Sequence, residues 1–404
     1  MNSFFPERSI KEIAKVIVSS VDKKSVSCEV SVSLCNYSDV YYNNVITKDM
    51  VFMGATAKES EIGKFALMPN DVVITKDSES ANDIGIPAFV ESVPKNLICG
   101  YHLAILRPNK SIDAKFLSYA LQLPKVARNF YRYSNGVTRF GLTEETYRKV
   151  TIPFPSYSEQ KAIADLLSTW DEAIEKTERL IELKEKQQSF WMTRLLKKQI
   201  RLKGFNQAWT ACSLGELFTE RKEKDFSNLP LLSITKTQGV IPQNLNGKRD
   251  TSCEDKSCYL RICKGDIGYN TMRMWQGVSA LSNLEGIVSP AYTICVPKDN
   301  VDGVFMAYLF KLPRMIHLFY RYSQGLTSDT LNLKFHHFSK IKICIPSLKE
   351  QKAIASFLKV ADNEKDLLER LKKLLIIQKK GLMQKLLTGK WRVNHKIVNQ
   401  HMEV

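Results

Sequence analysis

The nine residues Glu159–Leu167, EQKAIADLL, return as EQKAIASFL at Glu350–Leu358, with seven of the nine positions identical. The similarity extends upstream, where Phe116–Ser134 aligns with Phe305–Ser323 and nine of nineteen positions agree. The offset is 189 residues upstream and 191 residues at the repeated nonapeptide, so the second copy contains two extra residues between these segments. A solenoid repeat is only about 20–50 residues long. The sequence therefore predicts two domain-sized repeats, each followed by the same helix.

The composition is that of a folded chain with two or three domains. Of 404 residues, 44% are hydrophobic and 25% are charged, and no run approaches the roughly 18 apolar residues that can cross a bilayer. The first residues mix charges with apolar positions, unlike a secretory signal, so we expect a cytoplasmic location. The net charge of +17 favours a polyanionic partner. Nucleic acid is favoured over an anionic membrane surface, because the helices lack the one-sided basic and aromatic pattern of interfacial helices.

Metal-site patterns are weak. The nine cysteines are scattered, and four residues separate Cys253 from Cys258 and Cys258 from Cys263, unlike the CxxC pairs of structural zinc sites. A metal site is one interpretation, and reduced, mostly buried thiols are the favoured one. The six histidines show neither HExxH nor HxH spacing. No metal site is therefore predicted.

A long helix is predicted to begin after each Pro-Ser, at Pro155–Ser156 and at Pro346–Ser347. Apolar residues recur at alternating intervals of four and three, which is the seam of a coiled coil. About 40 helical residues would span roughly 60 Å. The predicted helix-pairing residues are Ile163, Leu167, Trp170, Ile174 and Ile181 in the first copy and Ile354, Leu358, Leu368 and Leu375 in the second. The two helices can bury these seams against each other as an antiparallel pair; the alternative is that each helix packs on its own domain.

This pattern resembles the specificity (S) subunit of type I restriction-modification systems. The resemblance rests first on the duplicated PSxxEQKAIAxxL at Pro155–Leu167 and Pro346–Leu358. It includes the helix ends TRLLKKQIRLKGF (Thr193–Phe205) and MQKLLTGKWR (Met383–Arg392), and the restart NQAWTACSLGELF (Asn206–Phe218). The segments GDIGYNTMRMWQG and GIVSPAYTICVP are similar to the core of a recognition domain of this family. The resemblance covers nearly the whole chain.

The resemblance implies a fold and a set of partners. The expected fold is α+β, with two similar mixed α/β DNA-recognition domains separated by two long helices packed as an antiparallel coiled coil. Each domain would read one half of a bipartite, asymmetric target in double-stranded DNA, and the helices would set the unread gap and bind two methyltransferase (M) subunits. Restriction/translocase (R) subunits would complete the complex. S-adenosylmethionine, ATP and Mg are expected on the partner subunits, because the S subunit itself catalyses nothing.

The expected domain boundaries follow from the repeat and the resemblance. They are 1–157 for the first target-recognition domain, 158–203 for the first conserved long helix, 204–347 for the second target-recognition domain, 348–390 for the second long helix and 391–404 for a C-terminal tail.

The motifs of the corresponding catalytic subunits are missing from the sequence. The chain contains no Pro-Pro, and hence no Asp/Asn-Pro-Pro-aromatic turn of an adenine methyltransferase, and neither GxGxxG nor GxxxxGK[ST] occurs. Glu-x-Lys triplets, such as those at Glu182, Glu220 and Glu254, are expected by chance in a chain rich in both residues. The alternatives are an S subunit of a methylation-only or phase-variable system, a stand-alone DNA-modifying enzyme with a coiled-coil arm, and a coiled-coil adaptor with no DNA role.

Candidate DNA contacts lie in polar and aromatic stretches of both repeats. Lys and Arg suit phosphates, whereas Arg, Asn and Gln also match base edges. The predicted DNA-binding residues of the first domain are Lys23, Lys24, Asn36, Tyr41, Asn43, Lys76, Ser78, Asn135, Thr138 and Arg139. Those of the second are Lys236, Thr237, Gln238, Asn270, Arg273, Trp275, Gln276, Gln324, Thr327 and Ser328. Asn135-Gly136 and Gln324-Gly325 follow the same FYRYS phrase and are predicted to form tight turns.

Overall fold

The computed structural model describes residues 4–22, 25–247 and 255–401. By its internal contacts the chain divides into two units. Unit 1 comprises Met1–Glu178 with Arg370–Val404, and unit 2 comprises Arg179–Glu369. Each unit therefore contains one of the two sequence repeats together with a part of both long helices.

The strands of the described residues are β1 (Glu7–Ser9), β2 (Ala14–Val18), β3 (Val30–Cys35), β4 (Val45–Ile46), β5 (Met53–Ala57), β6 (Val72–Thr75), β7 (Asp77–Ser78), β8 (Pro87–Val90), β9 (Leu97–Cys99), β10 (Leu103–Pro108), β11 (Phe140–Gly141), β12 (Thr151–Pro153), β13 (Thr210–Ser213), β14 (Phe218–Arg221), β15 (Leu232–Ile234), β16 (Val240–Pro242), β17 (Leu260–Ile262), β18 (Ile267–Asn270), β19 (Ser279–Leu281), β20 (Gly286–Val288), β21 (Tyr292–Pro297) and β22 (Lys342–Ile345).

The α-helices are α1 (Ile10–Ile13), α2 (Tyr37–Tyr41), α3 (Glu59–Phe65), α4 (Ala114–Leu121), α5 (Pro124–Arg132), α6 (Glu144–Lys149), α7 (Tyr157–Leu196), α8 (Leu214–Leu217), α9 (Gly303–Leu309), α10 (Pro313–Tyr322), α11 (Phe335–Phe338), α12 (Leu348–Leu386) and α13 (His395–Gln400). Short 3₁₀-helices cover Ala81–Asp83, Gln243–Leu245 and Met274–Gln276. The two long helices α7 and α12 are the ones that follow the repeated Pro-Ser.

Unit 1 is built on a five-stranded sheet in the order β2-β10-β6-β8-β4, with β4 parallel to β8 and the other pairs antiparallel. Both faces of this sheet are buried. In β6, Val72 and Ile74 belong to the core next to the long helices, whereas Val73 faces a second core under the sheet β5-β3-β9. Because successive residues face opposite sides of a strand, burial on both faces explains the continuous apolar runs of β6 and β10.

Unit 2 repeats the arrangement with a four-stranded sheet in the order β14-β21-β18-β19. The central strand β18 corresponds to β6, and each is preceded by a buried aspartate that bonds an arginine. Asp71 accepts two hydrogen bonds of 2.8 Å from Arg107 of β10, and Asp266 accepts bonds of 2.8 and 3.2 Å from Arg221 of β14. The aspartate thus occupies the same position in both repeats, whereas its arginine partner lies on β10 in unit 1 and on β14 in unit 2.

The glutamine of the repeated EQ joins each long helix to its recognition domain. Gln160 Oε1 accepts from the Asp113 N–H at 2.8 Å, and its Nε2 donates to Pro155 and Ser111 carbonyls. Asp113 in turn caps α4, accepting from the Phe116 N–H. The side chain of Gln160, like that of Gln351 in the second repeat, is essentially fully buried. It satisfies three backbone groups that would otherwise lack a partner.

The same hydrogen bonds recur around Gln351 in unit 2. Its Oε1 accepts from the Asp302 N–H at 2.9 Å, its Nε2 donates to Pro346 and Asn300 carbonyls, and Asp302 caps α9. The repeat in the sequence therefore corresponds to a repeated hydrogen-bonded junction.

The glutamate of the same motif joins the start of one long helix to the chain that follows the other. Glu159, at the start of α7, accepts bidentate bonds of 2.6 and 2.7 Å from Arg392, which follows α12. Glu350, at the start of α12, accepts bonds of 3.0 and 2.5 Å from Arg201, which follows α7. Both carboxylates are buried, so charge-assisted bidentate pairing compensates their desolvation.

Within each unit the two long helices run antiparallel. In unit 1, Asp171 pairs with Lys379, and Glu178 pairs with Lys372 at 3.2 Å. In unit 2, Lys184 pairs with Glu364 at 2.7 Å, and nearby Gln188 bonds Asp362. In both units, the residue number of the α12 partner decreases as the residue number along α7 increases. The antiparallel pairing expected in the fold class is confirmed.

Both proposed ways of burying the helices occur, in different stretches. Ile163 and Leu167 lie in a core with residues of the first domain, with Leu386 of α12 and with Leu387, which directly follows α12. Ile354 and Leu358 lie in the corresponding core of unit 2, with residues of the second domain and with Leu195 and Leu196 of α7. Farther along, Ile181 is buried, and the remaining predicted pairing residues, Trp170, Ile174, Leu368 and Leu375, are partly buried.

The two extra residues of the second repeat lie in one loop. Asn135 bridges Gly141, and Gln324 bridges Asn332. Asn135 and Gln324 are 189 residues apart, whereas Gly141 and Asn332 are 191 apart. Both loops belong to the predicted DNA-binding stretches, so the repeats differ in length at a place where their targets are expected to differ.

Two findings concern the cysteines and membranes. Of the eight cysteines in the described residues, only Cys35, Cys99 and Cys295 are buried, so the expectation of mostly buried thiols is wrong. Cys253, one of the three evenly spaced cysteines, lies outside the described residues. No described helix is long and apolar enough to span a membrane.

We predict that Gln351→Ala destabilises unit 2 by about 1–3 kcal/mol, because it leaves the Asp302 N–H and the Pro346 and Asn300 carbonyls unpaired. Urea unfolding of the whole chain measures the change. The control is Lys352→Ala, one residue on, where the side chain is exposed. Equal unfolding midpoints for the two variants would contradict the role assigned to Gln351.

Candidate nucleic-acid interface

In unit 1 several predicted residues gather where β6 ends. Strand β7 pairs with β11, with Ser78 opposite Phe140, and this pairing places Arg139 next to Asp77. The residues form an open cleft of about 490 Å³. Its lining consists of Tyr37, Asp77, Ser78, Glu79, Ser80, Asp83, His102 and Arg139. Ser78 and Arg139 of the predicted set therefore share one surface with groups that were not predicted.

Arg139 is held by a carboxylate. Its Nη2 donates to Asp77 Oδ1 at 3.0 Å, and His102 Nδ1 lies 2.6 Å from the same oxygen. The hydrogen bond that Arg139 donates to Asp77 raises the pKa of Arg139. The Arg139 side chain is still 58% exposed, so the remaining N–H groups can meet a ligand in a defined orientation.

The cleft is acidic, although the chain as a whole is strongly basic. Asp77, Glu79 and Asp83 all line it, and carboxylates repel phosphate. Carboxylates do accept hydrogen bonds from the amino groups of cytosine and adenine. The ring of Tyr37 stacks on Tyr41 at 5.5 Å between centroids. This cleft therefore suits a base edge rather than the DNA backbone.

Asp83 also anchors the two tyrosines of α2. Tyr41 Oη donates to Asp83 Oδ1 at 3.2 Å, and Tyr37 Oη donates to the Asp83 carbonyl at 3.1 Å. The bond to the Asp83 carboxylate raises the pKa of the Tyr41 phenol. The predicted residue Tyr41 thus supports the cleft through Asp83.

The other predicted residues of unit 1 are more dispersed. The Asn36 side-chain oxygen is buried without a hydrogen-bond partner among the described residues, and Asn36 lines a smaller cavity of about 130 Å³ that shares Tyr37 and His102 with the cleft. The Lys76 ammonium lies 4.4 Å from the centre of the Tyr101 ring. Asn43 bonds the Asp39 carbonyl and is absent from the lining of both cavities. Lys23 and Lys24 lie outside the described residues.

In unit 2 the predicted residues lie on two loops. The first, residues 235–239, joins β15 to β16 and exposes Lys236, Thr237 and Gln238. The second, residues 271–278, joins β18 to β19; it follows Asn270 and includes Arg273, Trp275 and Gln276.

The second loop has a defined internal structure. Asn270 Oδ1 accepts from the Met272 N–H at 3.0 Å, and Trp275 Nε1 donates to the Met272 carbonyl at 3.0 Å. Arg273 is exposed, and within the described residues its side chain makes no hydrogen bond or ion pair. Arg273 therefore differs from Arg139 in that its guanidinium is not already paired with a carboxylate.

The twin loops after FYRYS are not the predicted tight turns. Each is closed by a pair of backbone hydrogen bonds, between Asn135 and Gly141 in unit 1 and between Gln324 and Asn332 in unit 2. Gly136 has a φ of 110° and Gly325 a φ of 135°. A Cβ at either position would collide with loop backbone, so glycine is required there.

Both twin loops present an aliphatic side chain to solvent directly after the glycine. Val137 is 91% exposed and Leu326 is fully exposed. Thr138, Thr327 and Ser328 follow them in the same loops. An exposed aliphatic group can contact a thymine methyl group or wedge against a base step. Val137 and Leu326 were not predicted, because the predicted contacts were polar or aromatic residues, although NGV and QGL align.

The acidic residues were also missed. Asp77 lies between Lys76 and Ser78, which were both predicted, and His102 lies in a segment that was used only to align the repeats. The predicted DNA contacts were cations, amides, hydroxyl-bearing residues and aromatic residues, so they included no carboxylate. The pairing of β7 with β11, which joins Asp77 to Arg139, is a contact between residues 62 positions apart that local sequence does not indicate.

Comparison with known proteins identifies relatives over almost the whole chain. A family model described as the type I restriction modification DNA specificity domain matches residues 5–185 and again residues 206–376. A protein of Methanocaldococcus jannaschii named as the MjaX specificity subunit of a type I restriction enzyme is 25% identical, over 96% of this chain and 93% of its own length.

Two solved structures share the fold. The type I restriction-modification S subunit from M. genitalium gives a TM-score of 0.55 at 17% identity, with 96% of each chain covered. A chain from a structure concerned with complex assembly and conformational transition of the type I R-M system gives a TM-score of 0.57 at 13% identity, covering 97% of this chain and 100% of that one.

We predict that Arg273→Ala relaxes the choice of base in the second half of the DNA target, because an unpaired guanidinium can bind guanine in bidentate fashion. Such a contact contributes about 1–3 kcal/mol of discrimination. Lys236→Ala, the comparison variant, should weaken binding to all sequences alike and reduce its salt dependence. Competition binding against site variants separates the two outcomes, and an Arg273 variant that weakens every DNA equally would be assigned to phosphate binding instead.

Proposed function

We propose that this chain, which belongs to the type I restriction modification DNA specificity domain family, reads a bipartite and asymmetric DNA target, one half with each unit. The chain is a DNA-specificity subunit. The observation that supports the division into halves is the duplication itself. The Glu-Gln junction is the same in both units, whereas the groups on the candidate interface differ.

The difference between the interfaces supports an asymmetric target. In unit 1 an arginine, a histidine and carboxylates share one cleft. In unit 2 the corresponding loops offer an unpaired arginine, a tryptophan and glutamines. Donors and acceptors in different positions match different base edges, so two equal half-sites are not expected.

The long helices are proposed to set the number of unread base pairs. Each helix is bonded at its start to a recognition domain through Gln160 or Gln351. Through Glu159 or Glu350 it is also bonded to the chain that follows the other helix. These junctions fix where the helices begin relative to the domains. The helix length is then the quantity that can change the gap.

The exposed apolar side chains of the helices are proposed to bind two methyltransferase subunits. In unit 2 these are Leu180, Leu183, Phe190, Phe357, Val360 and Leu367, and in unit 1 they are Leu371, Leu374 and Ile377. Clustered apolar side chains on a water-exposed helix mark a surface for a protein partner.

Restriction/translocase subunits are proposed to join this assembly and to supply cleavage. S-adenosylmethionine, ATP and Mg would then be bound by the partner subunits, and this chain would act without catalysing a reaction. A methylation-only system is the second candidate, and it differs in its partners rather than in this chain. The role implies a cytoplasmic location, where the DNA target is found.

We predict that Val360→Lys combined with Leu367→Lys abolishes co-purification of the methyltransferase subunit, because charge replaces exposed apolar area on α12. The control combines Lys359→Ala with Asp366→Ala at exposed neighbouring positions. Tagged chains isolated from the host show which variant retains its partner, and unfolding curves show that both are folded. Equal recovery of the methyltransferase with both variants would place its binding surface elsewhere.

A second prediction concerns helix length. Four residues inserted after Glu178 in α7 and four after Leu371 in α12 lengthen both helices by one turn, about 6 Å. The pair Glu178–Lys372 and the pair Lys184–Glu364 each keep their partners. Because DNA rises about 3.4 Å per base pair, we expect an unread gap longer by one or two positions, with unchanged half-sites.

Sequencing of methylated sites in cells that contain the variant measures this gap. The comparison variant lengthens α7 alone, which shifts the ion pairs out of register and should lower methylation instead of lengthening the gap. An unchanged gap with full methylation in the double insertion would show that helix length does not set the spacing. Changed half-site bases would place recognition in the helices.

A further inference from the structure

Lys311 lies at the turn between α9 and α10, with its ammonium group against both DNA-facing loops of unit 2. Its Nζ donates to the Ser279 carbonyl at 2.6 Å, to the Gly277 carbonyl at 3.0 Å and to the Lys236 carbonyl at 3.3 Å. Lys236 belongs to loop 235–239, whereas Gly277 ends the turn that contains Arg273. One side chain therefore bonds the backbone of both loops.

Each loop is already ordered by its own contacts. In loop 235–239, Thr235 Oγ1 donates to the Gly239 carbonyl and accepts from the Gln238 N–H, both at 2.9 Å. The turn at Met274–Gln276 ends at Gly277 with a φ of 78°, where a Cβ would press on Ile316 of α10. These bonds hold each loop internally. Among the side-chain hydrogen bonds of the described residues, those of Lys311 are the ones that join the two loops.

The environment of Lys311 is costly for a cation. Its neighbouring polar groups are backbone carbonyls, and no carboxylate of the described residues forms an ion pair with it. Burial, and then the nearby Lys236 ammonium, lower the pKa of Lys311 to about 8. A partly buried cation without a carboxylate is weak evidence for a stabilising role, because its desolvation opposes folding.

The first repeat lacks this contact. Gln122 aligns with Lys311, and its Nε2 donates to the Ser118 carbonyl within its own helix at 3.2 Å. The fold of a recognition domain therefore does not require a lysine at this position. The bond between the loops is specific to unit 2, as are the residues that those loops present.

We infer that Lys311 is a positioning residue for DNA specificity in unit 2: it holds the loop of Lys236 against the loop of Arg273, so that both meet DNA in one fixed arrangement. This inference rests on the proposed DNA-reading role of those loops. Lys311 is not expected to touch DNA. It acts on the base contact through the backbone of the two loops.

The test compares Lys311→Met, which removes the donors and the charge, with Lys311→Gln, which introduces the residue of the first repeat. Both are measured in the full chain by competition binding against DNA with single changes in either half-site. We expect discrimination in the second half-site to fall on the order of tenfold for Lys311→Met, the size of one lost base contact. Discrimination in the first half-site should stay unchanged and provides the internal control.

A pH profile separates positioning from a simple loss of stability. In the parent chain, discrimination in the second half-site should decline as the pH rises through about 8, because Lys311 then loses its charge and one donor. The Lys236 ammonium is the charged neighbour that faces it, so Lys236→Ala should move this decline to higher pH. The first half-site, with Gln122, and the Lys311→Met variant should show no such decline.

Three results would overturn the inference. They are unchanged discrimination by Lys311→Met, equal weakening of all DNA sequences, and a second half-site profile that does not change with pH in the parent. If Lys311→Met does not fold, Lys311→Gln and the parent profile still decide the question. If Arg273→Ala relaxes the second half-site while the Lys311 variants do not, the proposed function stands and only this inference fails; if neither does, the DNA-reading role of these loops is wrong.

Discussion

The buried side-chain amide of the repeated glutamine is the contact on which the arrangement of each unit depends. Gln160 and Gln351 each satisfy one backbone N–H and two carbonyls at the junction of a recognition domain with a long helix. A buried polar group left without a partner costs more than the bond contributes, so this junction tolerates few replacements. The adjacent glutamates join each helix start to the chain that follows the other helix. In each unit, the Glu-Gln motif therefore connects the start of one long helix both to a recognition domain and to the segment that follows the other long helix.

The repeat made much of this fold predictable, since periodicity and alignment are properties of the sequence. The two long helices follow from the alternating four- and three-residue spacing of apolar residues after each Pro-Ser. The arginine partners Arg392 and Arg201 did not follow. Each lies beyond the end of the other helix, and no local pattern marks a contact with residues 233 or 149 positions away. Likewise, Asp71 and Asp266 align, but their arginines come from different strands.

The candidate site was less predictable than the fold, for a chemical reason. The predicted contacts were cations for the phosphates and arginines and amides for the base edges. Specificity depends on base edges, which contain donors as well as acceptors, so carboxylates and aliphatic groups also belong in a reading surface. Asp77, His102, Val137 and Leu326 were therefore overlooked, while Lys76, Ser78 and Arg139 beside them were found. Which of these groups share a cleft depends on strand pairing, which spacing alone does not determine.

An acidic cleft in a chain of net charge +17 separates two tasks that one surface performs poorly. If binding relied on cations at the bases themselves, their attraction to any phosphate would favour every sequence alike. In the proposed function, Asp77 would reduce this general attraction at Arg139 and leave its directed N–H groups, so that a wrong base would meet an unsatisfied donor or acceptor. Cations elsewhere on the chain can supply the attraction that does not depend on sequence. On the proposed function, the fixed position of the loops would contribute more of the selectivity in unit 2, where Arg273 has no carboxylate partner among the described residues and the partly buried Lys311 bonds both loops.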